Sequence, residues 1–155
     1  MIKGLWKIIK VGGWAPMALF SLHIFLSRVL HAYIIWPPTD IPMHFLGGVT
    51  TAFLISRCFQ FLPRTVYQKN RVALLEIVLI ISLTTTVAVF WEFQEFIRDQ
   101  IFGSNVQISL ANTMQDLAMG ILGASAFAIF RSRRLHVGVG EVKEIAKDWV
   151  RGNAA

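Results

Sequence analysis

The sequence alternates between long apolar runs and short polar segments. Four runs are each close to the ~20 residues that an α-helix needs to cross the hydrocarbon core of a bilayer. They cover about residues 14–36, 41–62, 72–97 and 113–130. This pattern predicts an all-α fold, a four-helix transmembrane bundle, in which residues 1–155 form a single integral membrane domain.

The positive charges between the runs predict the orientation of the bundle. The loop "PPTD" has no Lys or Arg, "PRTVYQKNR" has three, and "RDQIFGSNVQISLAN" has only Arg98. Three lysines precede the first run, and "RSRR" follows the last. Because Lys and Arg concentrate on the cytoplasmic side of membrane proteins, we expect both termini in the cytoplasm and the segment "DIPMHF", residues 40–45, on the outer side.

Both tails have amphipathic patterns. In "MIKGLWKIIK" the lysines fall on one helical face, and in "GEVKEIAKDWV" the apolar residues recur at helical spacing. Helices that lie on the inner membrane surface are predicted for both tails. For the C-terminal tail, a partly disordered and solvated segment is an equal alternative.

Composition supports a membrane protein and excludes several other classes. The chain is 55% hydrophobic and 15% charged, whereas soluble domains are about 25% charged. The net charge of +6 comes from basic residues that flank apolar runs, so the expected partner is the lipid bilayer and not nucleic acid. Cys58 is the single cysteine, which excludes an intrachain disulfide. An oligomer is compatible with this composition.

Acidic residues gather at the predicted outer end of the bundle. Five of the nine acids in the chain, together with a histidine and an asparagine, lie at the outer ends of the second, third and fourth runs. Within each run they recur at i, i+3, i+4 or i+7 and so share one helical face. Ionisable groups at membrane depth almost always face the bundle interior or a wet cavity. We therefore predict an outward-facing polar pocket formed by Asp40, His44, Glu92, Glu95, Asp99, Asn112 and Asp116.

The members of this pocket have different expected roles. Carboxylates that lie close together inside a membrane need a proton, a cation or an arginine to neutralise them. One histidine with three carboxylates is a plausible ligand set for Zn²⁺, Mn²⁺ or Fe²⁺, so the predicted metal ligands are His44, Glu92, Glu95 and Asp116. Supporting roles are expected for Asp40 and Asn112 as helix caps, for Asp99 near the surface, and for Arg28 as a neutralising charge.

Two further features predict structure and not chemistry. Arg57 and Glu76 lie at similar depth near the inner ends of their runs, which indicates a structural ion pair. Glycine pairs follow His44 and Asp116 by about one turn, and small residues let membrane helices approach closely. Close packing of the second and fourth runs is the preferred interpretation, and backbone room for a ligand is the alternative.

Three segments, taken in order, resemble a known family. They are D-x-x-x-H-F at Asp40–His44–Phe45, W-E-x-x-E at Trp91–Glu92–Glu95, and the Thr113–Asp116 segment before a helix of small residues. The pattern is similar to that of YjdF-like small bacterial inner-membrane proteins, which in turn resemble the broader VanZ-like group. The resemblance implies a multi-pass protein of the bacterial cytoplasmic membrane and little chemistry. Asn112 stands where that family has an acid.

These features leave three classes of function. The first is a divalent-metal site that acts on an envelope lipid headgroup or a cell-wall precursor. The second is non-enzymatic, either binding of a lipid or drug headgroup or a structural polar network that serves a partner. The third, proton or ion translocation, is the least favoured because the acids gather at one end and no relay of acids reaches the inner face.

Overall fold

All regular secondary structure in the described part of the chain is helical. The computed structural model describes residues 6–59 and 72–152, with side chains at 6–59 and 74–132, and contains no strand in these ranges. A π-helical turn at Ile9–Gly13 lies within the first helix, and a 3₁₀ turn at Pro37–Thr39 precedes the third. The helices are α1 (Trp6–Arg28), α2 (Ala32–Ile35), α3 (Asp40–Cys58), α4 (Val72–Phe102) and α5 (Leu110–Gly152). The predicted all-α class is confirmed.

Three helices of the described residues are long and apolar enough to cross a membrane. They are α1, Leu74–Phe102 of α4, and Leu110–Ser132 of α5. The second predicted span corresponds to α3, whose 19 residues give a length of about 28 Å at 1.5 Å per residue. α3 packs against α1, α4 and α5, so much of its surface faces protein, and it is not among the three candidate spans of the described residues. A fourth span at α3 therefore stays a prediction.

The first predicted span is wrong at its C-terminal end. The apolar run predicted an end near residue 36, but α1 ends at Arg28 and the chain turns. His31 takes a left-handed backbone conformation with φ 49°, and its Nδ1 lies 3.2 Å from the carbonyl oxygen of Ser27. This turn makes α2 a separate short helix, which leads through the two prolines into α3.

The predicted surface helices at the tails are only partly within the described chain. Residues 1–5 lie outside it, and Trp6–Ile8 are the first residues of α1. The C-terminal segment is helical as the last part of α5. Its side chains, like the basic loop within residues 60–71, lie outside the described residues.

Glycines set the close approach of α3 to α5. A Cβ on Gly48 would lie 3.1 Å from the backbone nitrogen of Ala124 and closer still to the carbonyl oxygen of Gly120. A Cβ on Gly123 would meet the carbonyl oxygen of Phe45 in the same way. The close packing of these two helices is therefore built on glycine. Gly47 differs, because a Cβ there would meet nothing within 4 Å.

The core and a second polar cluster, formed by Glu76 and Arg131, lie further along the same helices. Small residues dominate the buried core, which consists of Ala52, Ile80, Ala124 and Ala128. Below it, the buried Glu76 accepts a hydrogen bond from Nε of Arg131 at 2.7 Å. The predicted partner Arg57 instead places its guanidinium 5.2 Å from the ring centroid of Phe53. The pairing of Glu76 with Arg57 was thus wrong, because depth along a helix does not fix which face a side chain occupies.

Candidate functional site

His44 lies at the centre of the polar cluster. It is on the second turn of α3, and the first turn of that helix carries Asp40. Its Nε2 lies 3.3 Å from Oδ1 of Asp40 and 4.0 Å from Oδ1 of Asp116, and its Nδ1 lies 3.8 Å from Oε1 of Glu92. The N-terminal ends of α3 and α5 and the C-terminal half of α4 therefore meet around one imidazole. This is the grouping of helix ends that the sequence predicted.

Asp116 is the most buried acid of the cluster, and its two carboxylate oxygens differ in their hydrogen bonding. Its residue exposure is 2%. Nδ2 of Asn112 donates a hydrogen bond to its Oδ2 at 2.8 Å. Its Oδ1 is buried and has no hydrogen-bond partner among the described residues. This oxygen faces Nε2 of His44, and an unpaired buried carboxylate oxygen is costly.

Glu92 is held by the loop between α4 and α5. Gln107, on that loop, donates from Nε2 to the backbone oxygen of Glu92 at 3.1 Å and to its Oε2 at 3.3 Å. Asp99 fixes the loop, because its carboxylate accepts hydrogen bonds from the hydroxyl of Ser104 and from the backbone N–H groups of Val106 and Gln107. Asp99 was expected to support the pocket as an acid near the surface. In the structure its hydrogen bonds hold the loop between α4 and α5 in place.

Glu95 faces an aromatic group that the sequence analysis did not identify. Nε1 of Trp91 donates to Oε1 of Glu95 at 2.9 Å. The Trp91 ring lies edge-on to Phe20 and His23 of α1, with centroids 6.0 and 5.6 Å apart. Oη of Tyr33, on α2, lies 2.7 Å from Nδ1 of His23. The bond between Trp91 and Glu95 has i, i+4 spacing on one helix, whereas the contacts of Trp91 with Phe20 and His23 join residues far apart in the chain, and no local spacing signalled them.

The Tyr33 phenol keeps its proton over the physiological range. Burial, followed by the charges of Asp40 and Glu95, raises its pKa to about 12. The hydroxyl can therefore donate a hydrogen bond to Nδ1 of His23. In that arrangement the neutral imidazole carries its proton on Nε2. This bond ties α2 to α1 beside the cluster.

The supporting roles predicted for three residues need correction. Asp40 is not the N-cap of α3, since Thr39 occupies that position and Asp40 instead pairs with His44. Asn112 is not the cap of α5, because the hydroxyl oxygen of Ser109 accepts the Asn112 backbone N–H at 3.2 Å. Serine at this position is a common N-cap, so the sequence held that signal. Arg28 is exposed at the end of α1, and none of the described ion pairs of the cluster includes it.

The geometry of the described residues offers one group that could hold a metal ion. Ligand atoms of Asp40, His44 and Asp116 all lie within 4.8 Å of one another. Two of these residues belong to the set predicted as ligands, and Asp40 had been expected to be a cap. Glu92 approaches His44 from the other ring nitrogen, and Glu95 bonds to Trp91.

A cleft adjoins the cluster. It has a volume of about 290 Å³ and lies between α1, α3 and α4. Its lining is mostly apolar, but Asp40, His44 and His23 line it as well. Gly47 and Gly48 both line it. A Cβ on Gly47 would meet no atom within 4 Å, whereas a Cβ on Gly48 would meet the backbone of α5, so only Gly47 faces open space.

The chain belongs to a family described as predicted membrane protein (DUF2238), whose pattern matches residues 13–136. The match covers α1 from residue 13, all of α2, α3 and α4, and α5 up to residue 136, and thus every residue of the cluster. No curated protein and no solved structure is similar to the chain at a significant level. The family supports a membrane protein and supplies no reaction.

Proposed function

We propose that this member of the family is a multi-pass protein of the bacterial cytoplasmic membrane that binds one divalent cation at the outer end of its helix bundle. The observation that carries the proposal is Oδ1 of Asp116, which is buried, lacks a hydrogen-bond partner and faces His44. A second carboxylate oxygen, from Asp40, lies beside the same imidazole nitrogen. A cation among these three atoms would satisfy all of them together.

The ligands in this proposal are Asp40, His44 and Asp116. An imidazole that binds a metal through Nε2 carries its proton on Nδ1 and directs it to a partner, which is often a carboxylate. Glu92 is that partner, although its 3.8 Å separation from Nδ1 is longer than a hydrogen bond. Asn112 orients Asp116, and Gln107 orients Glu92. Carboxylate and imidazole ligands suit Zn²⁺, Mn²⁺ and Fe²⁺.

The substrate class follows from the membrane and the predicted orientation. The positive-inside pattern supports a cluster at the outer face, where lipid headgroups and cell-wall precursors present phosphoryl and carbonyl oxygens. A bound divalent cation polarises such an oxygen or activates a water molecule. The residues of this chain would bind the cation, orient the imidazole and keep the site at the edge of the hydrocarbon layer.

A structural network is the alternative function. The 3.3 Å separation between Nε2 of His44 and Oδ1 of Asp40 favours it, because a protonated imidazole at this position neutralises carboxylates without a metal. Under this alternative the cluster holds three helix ends together and binds a headgroup or a partner without catalysis.

Metal content distinguishes these two functions. The protein is purified in detergent without chelators, and its metal is measured by elemental analysis before and after addition of Zn²⁺, Mn²⁺ or Fe²⁺. We expect close to one ion per chain in the wild type and loss of the ion in Asp40→Asn, His44→Ala and Asp116→Asn. Glu92→Gln should weaken binding roughly 10–100-fold, as changes in orienting partners do.

Glu95→Gln is the matched control for this experiment. Its carboxylate is buried in the same cluster but bonds to Trp91, so the variant should keep its metal. Loss of metal in Glu95→Gln together with retention in Asp40→Asn would restore the ligand set predicted from the sequence. A folded wild type that holds no ion, and takes up none of the three, would exclude the cation site and leave the structural network.

A further inference from the structure

The cleft beside the candidate cation site has a mostly apolar lining, which includes the neutral threonines Thr50, Thr51 and Thr84, and its ionisable side chains lie at one end. Its long direction follows α3 from His44 to Thr51, which is about 10 Å at 1.5 Å per residue. Leu19, Phe20 and Val87 are among the residues that line it. The polar side chains Asp40, His44 and His23 lie at one end of this stretch. An occupant that matches the whole lining therefore has a polar end and an apolar body.

The volume of the cleft limits the size of that body. At the ~30 Å³ that a water-sized group occupies in a liquid, a cleft of about 290 Å³ accommodates roughly ten chain carbons. An extended chain of that length reaches about as far as the stretch from His44 to Thr51. Ligand sites in proteins are usually such apolar clefts with a few polar groups that fix orientation.

We propose that the cleft binds one hydrocarbon chain of a membrane amphiphile whose anionic headgroup, a phosphate ester, lies at the Asp40–His44–Asp116 end. The headgroup part rests on the proposed cation site, because without a cation these carboxylates repel an anion. The chain part rests on the shape and lining of the cleft alone. The protein would thus take its substrate from the bilayer with the reactive head already at the metal.

Gly47 provides a variant that fills the cleft without disturbing the fold. It lines the cleft, and a Cβ at this position meets no atom within 4 Å. A leucine side chain has four heavy atoms, so Gly47→Leu removes roughly 120 Å³ of space by the same volume per group. Gly47→Ala removes about a quarter of that and serves as the graded control.

Trp91 provides the readout because it lines the same cleft. In a variant that keeps Trp91 and has its other four tryptophans replaced by Phe, bromine near the head of a bound chain should quench its fluorescence on contact. The probes are decyl phosphate and decanol, each brominated on the two chain carbons nearest the head, in micelles of an unbrominated detergent. The reference chain has Trp91→Phe with Phe90→Trp, since Phe90 is 67% exposed on the outside of the bundle.

We expect saturable quenching of Trp91 by both probes and non-saturable quenching of the reference tryptophan. Gly47→Leu should weaken the Trp91 response roughly tenfold or more, because three or four buried methylene contacts are lost, and Gly47→Ala should weaken it much less. Removal of divalent cations should weaken binding of the phosphate probe and leave the decanol probe unchanged.

The outcomes separate the two proposals. One outcome is that both probes bind saturably, that Gly47→Leu weakens both, and that neither depends on cations in a protein that holds no metal. This outcome would support the chain site and overturn the cation site with its headgroup. Trp91 quenching that is non-saturable for both probes, or equal in Gly47→Leu and wild type, would overturn the chain site whatever the metal content.

Discussion

Replacing Gly48 with alanine tests the closest helix contact in the structure. Gly48 lies on α3 against the backbone of α5, and its neighbour Gly47 faces the open cleft. The two positions share a helix, a residue type and a membrane depth. Gly48→Ala and Gly47→Ala therefore differ mainly in what the new methyl group meets.

The expected difference in stability follows from the contacts. Replacing glycine with alanine favours a helix by up to about 1 kcal/mol, and this gain is the same at both positions. At Gly48 the methyl group would lie 3.1 Å from the nitrogen of Ala124 and closer to the carbonyl oxygen of Gly120. Both neighbours are backbone atoms, so the helices must separate. Overpacking costs ~1–3 kcal/mol, and separation also weakens the packing of the whole interface. We expect Gly48→Ala to be about 3 kcal/mol less stable than Gly47→Ala.

Reversible unfolding in mixed micelles, followed by far-ultraviolet circular dichroism, measures this difference. Gly123→Ala should resemble Gly48→Ala, because its methyl group would meet the carbonyl oxygen of Phe45. The double variant should cost less than the sum, since one separation of α3 from α5 relieves both clashes. Equal stability of Gly48→Ala and Gly47→Ala, within about 0.5 kcal/mol, would refute the backbone contact between these helices.

Two further predictions concern the second polar cluster and the orientation. Glu76→Gln should lower the free energy of unfolding by roughly 1–3 kcal/mol, since it leaves the partly buried guanidinium of Arg131 without its carboxylate. Adding Arg131→Met should recover part of the loss, and equal unfolding of the single and double variants would show that the residues are not coupled. In a Cys58→Ala background, a membrane-impermeant thiol reagent applied from outside should modify Thr39→Cys and Asn105→Cys but not Lys7→Cys, and the reverse pattern would place the cluster in the cytoplasm.

The arrangement of the helices could be predicted from the sequence because its signals are periodic and local. Apolar runs predicted the helices, and in the structure Asp40, Glu92 and Asp116, one from each of three runs, lie around His44. The run after Arg28 is as apolar as the helix before it, so the turn at His31 has no hydrophobic signal. Its left-handed conformation is set by the chain's return toward α3, which is a tertiary effect.

The partners of individual side chains could not be predicted because they depend on helix rotation. The sequence places Arg57 at the same depth as Glu76, but the structure gives Glu76 the side chain of Arg131 on a different helix. In the same way, spacing along α4 places Glu95 beside Trp91, one turn earlier on the same helix, but did not indicate that Glu92 faces His44. Spacing fixes which residues share a face, and packing decides what that face meets.

The distribution of satisfied and unsatisfied atoms favours a binding role for the cluster over a purely structural one. A polar network that only joins helices is most stable when every buried member has a partner. Here the surrounding bonds are made: Asp99 holds the loop, Gln107 bonds to Glu92, Trp91 bonds to Glu95 and Asn112 bonds to Asp116.

The deficit within the cluster is confined to one point. Among the described residues, the single buried carboxylate oxygen without a hydrogen-bond partner is Oδ1 of Asp116. It lies on the side of His44 where Asp40 also points its Oδ1. Ionisable groups at membrane depth are costly and are usually kept for function. Asn112 holds Asp116 through its other oxygen, and the ligand atoms of Asp40, His44 and Asp116 lie within 4.8 Å of one another. The proposed cation would therefore lie beside the unpaired oxygen.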